Sequence, residues 1–250
     1  MGGLAIITGG STGIGRQLVE AFVAAGYRVA FSYRSSPDAA NSLLAELDGK
    51  GDVHARQCDV GDEADVESFY AWVEAGLGTP DVLVNNAGIQ TWSSLLDLPA
   101  KDWEAVIRTN LTGCFLNTKA AAKLMEKAGR GGAVINIGSG CNKLAFPKLV
   151  DYTASKGGIE QFTKVAAVEL GPLGIRVNCV APGAITTERT DAEADNYSER
   201  WSKVTPLRRV GTPGDVAGSV LFFASPAADF VTGQTLWVDG GVFTQANWAY

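Results

Sequence analysis

Tyr152 and Lys156 stand four residues apart in the run Asp151-Tyr-Thr-Ala-Ser-Lys156. On a helix that spacing sets a phenol and an ammonium on one face. A free phenol titrates near ~10, too high to trade protons usefully at neutral pH. A cation about 5 Å away, at an effective dielectric of about 20, favours the phenolate by roughly 3 kcal/mol, or about two pKa units. The pair then has the properties of a general acid/base. Upstream, Ser139 follows the apolar run Ala133-Val-Ile-Asn-Ile137. A hydroxyl there can polarise a carbonyl and hold it beside the phenol, or steady an alkoxide in the reverse direction. Taken singly, each of these residues also fits a solvated helix face or an ordinary strand end, so their weight depends on the elements that position them.

Those elements begin at the N-terminus. Leu4-Ala-Ile-Ile-Thr8 has strand length and β-rich composition. Gly9-Gly-Ser11-Thr12-Gly13-Ile14-Gly15 follows, then Arg16-Gln-Leu-Val-Glu-Ala-Phe-Val-Ala-Ala-Gly26, with apolar residues at helical spacing and a terminal glycine. A glycine-rich turn between strand and helix lets the backbone approach a pyrophosphate, which the helix N-terminus attracts with free N–H groups and a partial positive charge. Further strands are predicted near residues 28–33, 53–57, 81–85, 132–138, 174–180 and 235–238, with helical patterns at 14–25, 62–76, 110–127 and 152–170. Alternation of this kind predicts an α/β fold with one parallel sheet covered on both faces. A ligand then sits beyond the carboxyl ends of the strands, where strand order reverses. Glycines 9–15, Asn86 and Ser139 all fall at such ends.

The motifs, taken in order, are Thr8-Gly9-Gly-Ser-Thr-Gly13-Ile-Gly15, Asp59-Val60, Asn85-Asn-Ala-Gly88, Asn110-Leu-Thr-Gly113, Ile137-Gly-Ser139, Tyr152-Thr-Ala-Ser-Lys156, Arg176-Val-Asn178, Pro182-Gly183 and Asp239-Gly-Gly241. With them the whole chain resembles the classical short-chain dehydrogenase/reductases, and among these the glucose 1-dehydrogenase and ketoacyl-reductase types. The resemblance implies a single Rossmann-type domain over residues 1–250, doubly wound around a seven-stranded parallel sheet. It also implies a catalytic tetrad of Asn110, Ser139, Tyr152 and Lys156. In that tetrad Asn110 bends a long helix and holds a water that feeds protons to the lysine. As an isolated residue Asn110 would instead be a helix N-cap. By the same resemblance Lys156 also binds the nicotinamide ribose, and Asp59 and Val60 contact the adenine. Asn86, Ala87 and Gly88 let the backbone pass close to the cofactor, and Ile185, after Pro182-Gly183, contacts the carboxamide. A capping role for Asp59 is compatible with this. Gly138 stands where a serine is frequent in the family.

NAD-preferring members place an acid about twenty residues past the glycine loop, on the ribose 2′-hydroxyl. Here Tyr33 occupies that place, followed by Arg34 and Ser35. A guanidinium there can clamp a 2′-phosphate through charge-assisted hydrogen bonds. NADP is therefore the expected cofactor, with NAD possible, although Thr12 stands where many NADP-binding relatives carry a basic residue.

Composition sets the remaining bounds. At 250 residues and 46% hydrophobic content, the chain can bury one sizeable core. No basic leader or bilayer-length apolar stretch is present, which predicts a cytoplasmic protein with no membrane partner. Cys58, Cys114, Cys141 and Cys179 lack metal spacing and read as reduced thiols, so no metal is expected. His54, the sole histidine, reads as structural. A net charge of −6 argues against a nucleic-acid partner. Leu173 stands where carrier-dependent ketoacyl reductases have a basic residue, which favours a small ketone, sugar or polyol over a carrier-bound substrate. A 3-oxoacyl-carrier-protein reductase remains the alternative, and a non-catalytic dinucleotide sensor or scaffold is the alternative of another class. Three loops are expected to set substrate specificity, Gln90-Thr-Trp92-Ser93, Gly140-Cys-Asn-Lys-Leu-Ala-Phe146 and residues 186–205. The last, strongly charged, suits a lid over the substrate. The aromatic tail Phe243–Tyr250 is too apolar for water and is expected to pack across a subunit contact in a homotetramer.

Overall fold

Short apolar runs spaced by helix-length segments can bury both faces only inside a sheet with helices on each side. A computed structural model of the chain describes residues 2–193 and 195–244. Among them β1 (Leu4–Ile7), β2 (Arg28–Tyr33), β3 (Val53–Gln57), β4 (Val82–Asn85), β5 (Gly132–Ile137), β6 (Ile175–Pro182) and β7 (Thr235–Val238) form one sheet. Its order is β3-β2-β1-β4-β5-β6-β7, parallel throughout. Each strand lies within two residues of its predicted place at either end.

Alternate side chains of the central strands feed two separate cores. Ala5, Ile7, Val82, Val84 and Ile135 meet α1 (Gly13–Ala24), α2 (Pro37–Glu46) and α9 (Pro213–Ala224) through Leu18, Phe22, Leu43 and Val220. Leu4, Ile6, Leu83 and Val134 meet α3 (Glu63–Gly76), α5 (Gly113–Lys127) and α6 (Val150–Leu170) through Phe69, Val73, Met125 and Ala166. This is the doubly wound α/β architecture. No helix among the described residues is long and apolar enough to cross a membrane.

The predicted helix over 110–127 is longer than its apolar pattern. It begins with α4 (Ala100–Ile107), passes through a π-helical turn at Arg108–Thr112 and continues as α5. In α4 only Val106 is buried, so the segment carries almost no periodicity to read. Asn110 therefore sits within a helix and is not its N-cap. Asp59 is likewise not the cap of α3. Asp62 is, accepting from the Asp65 N–H at 3.0 Å. His54 lies on the edge strand β3, bonded to Asp52 at 2.6 Å and packed edge-on against Trp72.

Between β6 and α9, residues 186–210 leave the sheet and carry α7 (Glu188–Glu193) and α8 (Tyr197–Val204). The two ends of this excursion are tied together. Thr186 N–H donates to the Gly211 carbonyl, and Gly211 N–H to the Ala184 carbonyl, both at 2.9 Å. The chain then enters α9 through a capping box. Thr212 Oγ1 accepts from Asp215 N–H, and the Asp215 carboxylate accepts from Thr212 N–H at 2.7 Å. The Arg209 guanidinium grips the same carboxylate and holds it well below the usual carboxylate range. Because α9 packs against α1, this cap supports the helix that follows the glycine loop. Thr212→Ala is expected to lower unfolding free energy by about 1 kcal/mol. Urea titration checks this, and an unchanged midpoint would remove the cap from the account.

Candidate active site

The glycine loop closes on itself and on the neighbouring strand. Gly9 has φ 65°, a conformation that favours glycine, and a Cβ at Gly15 would collide with the Gly9 carbonyl oxygen. Thr8 Oγ1 accepts from the backbone N–H groups of Asn86 and Ala87 at 2.9 and 3.0 Å. Asn86 Nδ2 in turn donates to the carbonyls of Thr8 and Gly9 at 3.0 and 3.1 Å. These bonds join the ends of β1 and β4, where the strand order reverses and a crevice opens. The first turn of α1 has no side-chain cap and no acid, unlike those of α3 and α9. Its N–H groups are thus available to an anion, and the donor set fits the pyrophosphate of a dinucleotide.

On the other side of the crevice α6 is held at its N-terminal end by bonds of its own first turn and by two residues from outside it. Tyr152 N–H donates to Asp151 Oδ1 at 2.6 Å, and the Tyr152 carbonyl accepts from Ser155 Oγ at 2.8 Å. Asp151 is fully buried and also accepts from Thr91 Oγ1. Asn110, in the π-turn, donates through Nδ2 to Ser155 Oγ at 3.0 Å and to the Ile89 carbonyl at 2.9 Å. Its Oδ1 accepts from Ile89 N–H at 2.8 Å. The Asn110 carboxamide is therefore committed to protein partners that fix Tyr152.

Lys156 is 4% exposed, and its Nζ donates to the Ile137 carbonyl at 2.7 Å. That carbonyl ends β5, two residues before Ser139, so one bond ties the lysine's helix to the strand that carries the serine. The ammonium also lies 5.5 Å from the Tyr152 ring centroid, within cation–π range. Ser139 itself opens a short 3₁₀ turn. Its Oγ accepts from Cys141 N–H at 3.2 Å, and its N–H donates to Asn142 Oδ1 at 3.1 Å.

A cleft of about 480 Å³ joins these parts. Of the residues singled out in the sequence, Thr12, Gly13, Ile14, Gly15, Asn86, Gly88, Ser139, Tyr152, Lys156, Pro182, Gly183 and Ile185 line it. Gly9 and Ala87 pack just behind it, against each other, and Asn110 lies behind the tyrosine. Tyr33, Arg34, Ser35, Asp59 and Val60 lie outside that lining, at the ends of β2 and β3. Arg34 and Ser35 are exposed, while Tyr33 packs partly against the core. The Asp59 carboxylate pairs with Arg108 at 3.0 Å and accepts from Gly61 N–H.

Several contributors escaped the sequence reading. Asn85 and Asn136, buried side by side on β4 and β5, bond to each other at 2.9 Å. Asn85 also reaches Thr118 on α5, and Asn136 reaches Thr163 on α6, each at 2.9 Å. This polar ladder clamps α6 to the sheet beside Lys156. The loops expected to set specificity do bring Trp92, Phe146, Tyr197 and Trp201 to the cleft, together with Phe243 from the aromatic tail. Phe243 lies against Gly140, while residues 245–250 of the aromatic tail fall outside the described residues. Burial pushes the thiols of Cys58 and Cys114 up to about 12 and that of Cys179 to about 11, so none of the three is a nucleophile at neutral pH.

Comparison with known proteins agrees with this geometry. The family model described as enoyl-(acyl carrier protein) reductase matches residues 9–243. The 3-oxoacyl-(acyl-carrier-protein) reductase of Staphylococcus aureus is 40% identical, the match covering 96% of this chain and 97% of that protein. The corresponding enzyme of a Synechocystis species is 41% identical, with 96% of each chain covered. A solved gluconate 5-dehydrogenase from Burkholderia cenocepacia, in complex with NADP and tartrate, superposes with TM-score 0.91 at 36% identity, covering 98% of this chain and 96% of that one. With its crevice, uncapped α1 and serine–tyrosine–lysine cleft, the chain belongs to the short-chain dehydrogenase/reductase family, oxidoreductases that work with a nicotinamide dinucleotide.

Proposed function

We propose that the chain is an NADP-dependent oxidoreductase that interconverts a ketone with its secondary alcohol, within the range of small ketones, sugars and polyols. The observation that carries this reading is the convergence of Ser139, Tyr152 and Lys156 on the cleft that also contains the glycine loop. When bound, the nicotinamide supplies the hydride for reduction of the carbonyl carbon, or accepts it in the reverse direction. Ser139 Oγ holds the substrate oxygen, and the Tyr152 phenol gives that oxygen its proton, so the ketone gains two hydrogens and two electrons overall. The Lys156 ammonium, fixed by the Ile137 carbonyl, favours the phenolate left behind and would hold the ribose of the bound dinucleotide. Asn110 serves proton return by holding the π-turn against Ile89 and Ser155. The four residues together argue against a sensor or scaffold without chemistry.

The choice of NADP is supported by Arg34 at the exposed end of β2, where no acid stands, and by the NADP bound to the gluconate dehydrogenase relative. A second reading, reduction of 3-oxoacyl groups on a carrier protein, is supported by the relatives at 40% identity. Absorbance of NADPH over a panel of ketones, sugars and a 3-oxoacyl thioester ranks the two readings, and absence of turnover on all of them would overturn both. The free thiols fit a reducing compartment, and we place the protein in the cytoplasm. Phe115, Val165 and Val168 are exposed on α5 and α6, which supports self-association, read here as a homotetramer. Light scattering is expected to give four chains per particle, and a monomer would refute the assembly.

Tyr152→Phe is expected to lower kcat at least ~100-fold while cofactor affinity stays nearly constant, since the ring remains and only the exchangeable proton is lost. Near-normal kcat in steady-state assays would displace Tyr152 from its role. Lys156→Ala is expected to lower kcat and weaken cofactor binding together, because the ribose contact goes with the charge. A change in kcat alone, read beside a cofactor titration, would refute the ribose contact. Arg34→Ala is expected to weaken NADPH more than NADH by one to two orders of magnitude, because a charge-assisted pair contributes roughly 1.5–3 kcal/mol. Equal losses with the two cofactors would reduce Arg34 to a turn residue.

A further inference from the structure

The cleft that holds Ser139 and Tyr152 is also walled by rings drawn from three separate segments. Trp92 follows β4, Phe146 follows β5, and Tyr197 and Trp201 come from α8. Trp92 meets Phe146 edge-on, with centroids 6.2 Å apart. Phe146 and Trp201 are tilted by 32° at 6.0 Å, and Trp201 continues to Tyr197 at 6.3 Å. Leu149 and Ile185, both buried, line the same cleft.

Two polar side chains of this end, Arg189 and Thr190, are engaged within the protein. Arg189 Nη2 donates to Gln90 Oε1 at 3.1 Å, tying α7 to the loop after β4. Thr190 Oγ1 bonds to the Ile185 and Thr187 carbonyls at 3.1 and 3.0 Å. A polyol in this end would turn hydroxyls toward ring faces that return no comparable hydrogen bond. A flat apolar ring would instead find the offset and edge-to-face contacts that aromatic groups favour.

We propose that this wall selects substrates bearing a planar apolar ring next to the reacting carbon, an aryl ketone or the matching aryl carbinol, with Trp201 and Phe146 as the specificity-determining residues. The proposal rests on the oxidoreductase reading above and narrows its substrate class. The full chain is assayed with NADPH and three ketones: acetophenone, the straight-chain methyl ketone of equal carbon count, and acetoin, with a 3-oxoacyl thioester as a fourth arm. Wild-type kcat/KM is expected to favour acetophenone over each of the others by at least ~10-fold. In Trp201→Ala the ratio of acetophenone to acetoin kcat/KM is expected to fall at least ~10-fold, and Trp201→Phe, which keeps a ring, to restore most of it. Circular dichroism and NADPH affinity verify that the alanine variant is folded.

Turnover of acetoin or the thioester without preference for acetophenone would overturn this inference and leave the oxidoreductase reading standing. Equal losses on every substrate in Trp201→Ala would also overturn it, since they mark a lid that no longer closes. Absence of turnover on all four would overturn this inference, and the oxidoreductase reading falls with it only if the sugars and polyols are not turned over either.

Discussion

A buried ammonium is the constraint around which the catalytic half of the molecule is arranged. Withdrawing such an ion from water costs several kcal/mol unless partners replace its hydration. For Lys156 those partners are the carbonyl that ends β5 and the π-face of Tyr152. The carbonyl is free to accept because β5 stops there and the chain turns away toward Ser139. The tyrosine face is available because it lies one helical turn earlier on α6. Moving either element would leave the charge unpaired, so burial of the cation locks serine, tyrosine and lysine into one register. The Asn85–Asn136 ladder carries the same lock deeper, to Thr118 and Thr163.

The cofactor half depends on a complementary arrangement, in which backbone takes the place of side chains. Thr8 and Asn86 use both backbone and side-chain groups to join two strands that part immediately afterwards. The crevice then stays open because the elements diverge, and the α1 N-terminus stays reactive because nothing in its first turn competes for its N–H groups. One half of the site is thus rigid through satisfied bonds, and the other is receptive through unsatisfied ones.

Much of this was legible in the sequence, for a physical reason. Fully buried strands such as Leu4–Ile7 must be continuous apolar runs, and a glycine loop followed by a helix has few structural meanings. Helix spacing alone puts Tyr152 beside Lys156. The rest was hidden because it depends on partners distant in the chain. Asn85 and Asn136 read as polar interruptions of strands until the sheet sets them side by side. Helix α4 carries too little apolar pattern to be seen, and Asn110 gains its setting only when α4 and α5 join through a π-turn. The aromatic wall draws on three segments, around residues 92, 146 and 200, that each read as specificity loops, but no local pattern predicts that their rings pack on one another.

The excursion over residues 186–210 leaves and rejoins the sheet through a neck two hydrogen bonds wide. Closing a loop at its base means that its length and sequence add little to the entropy already spent in forming the neck, since that cost grows only as the logarithm of loop length. The capping box of α9 begins just outside the neck and the sheet ends just before it, so apart from the Arg209 guanidinium on Asp215, at the very end of the excursion, both are built from residues outside it. The segment is in effect a cassette. Its rings and charges, Arg209 excepted, can be exchanged while the proton-transfer residues, which reside entirely on the other side of the neck, keep their geometry. A scaffold divided in this way can acquire new substrates without having to reinvent its chemistry.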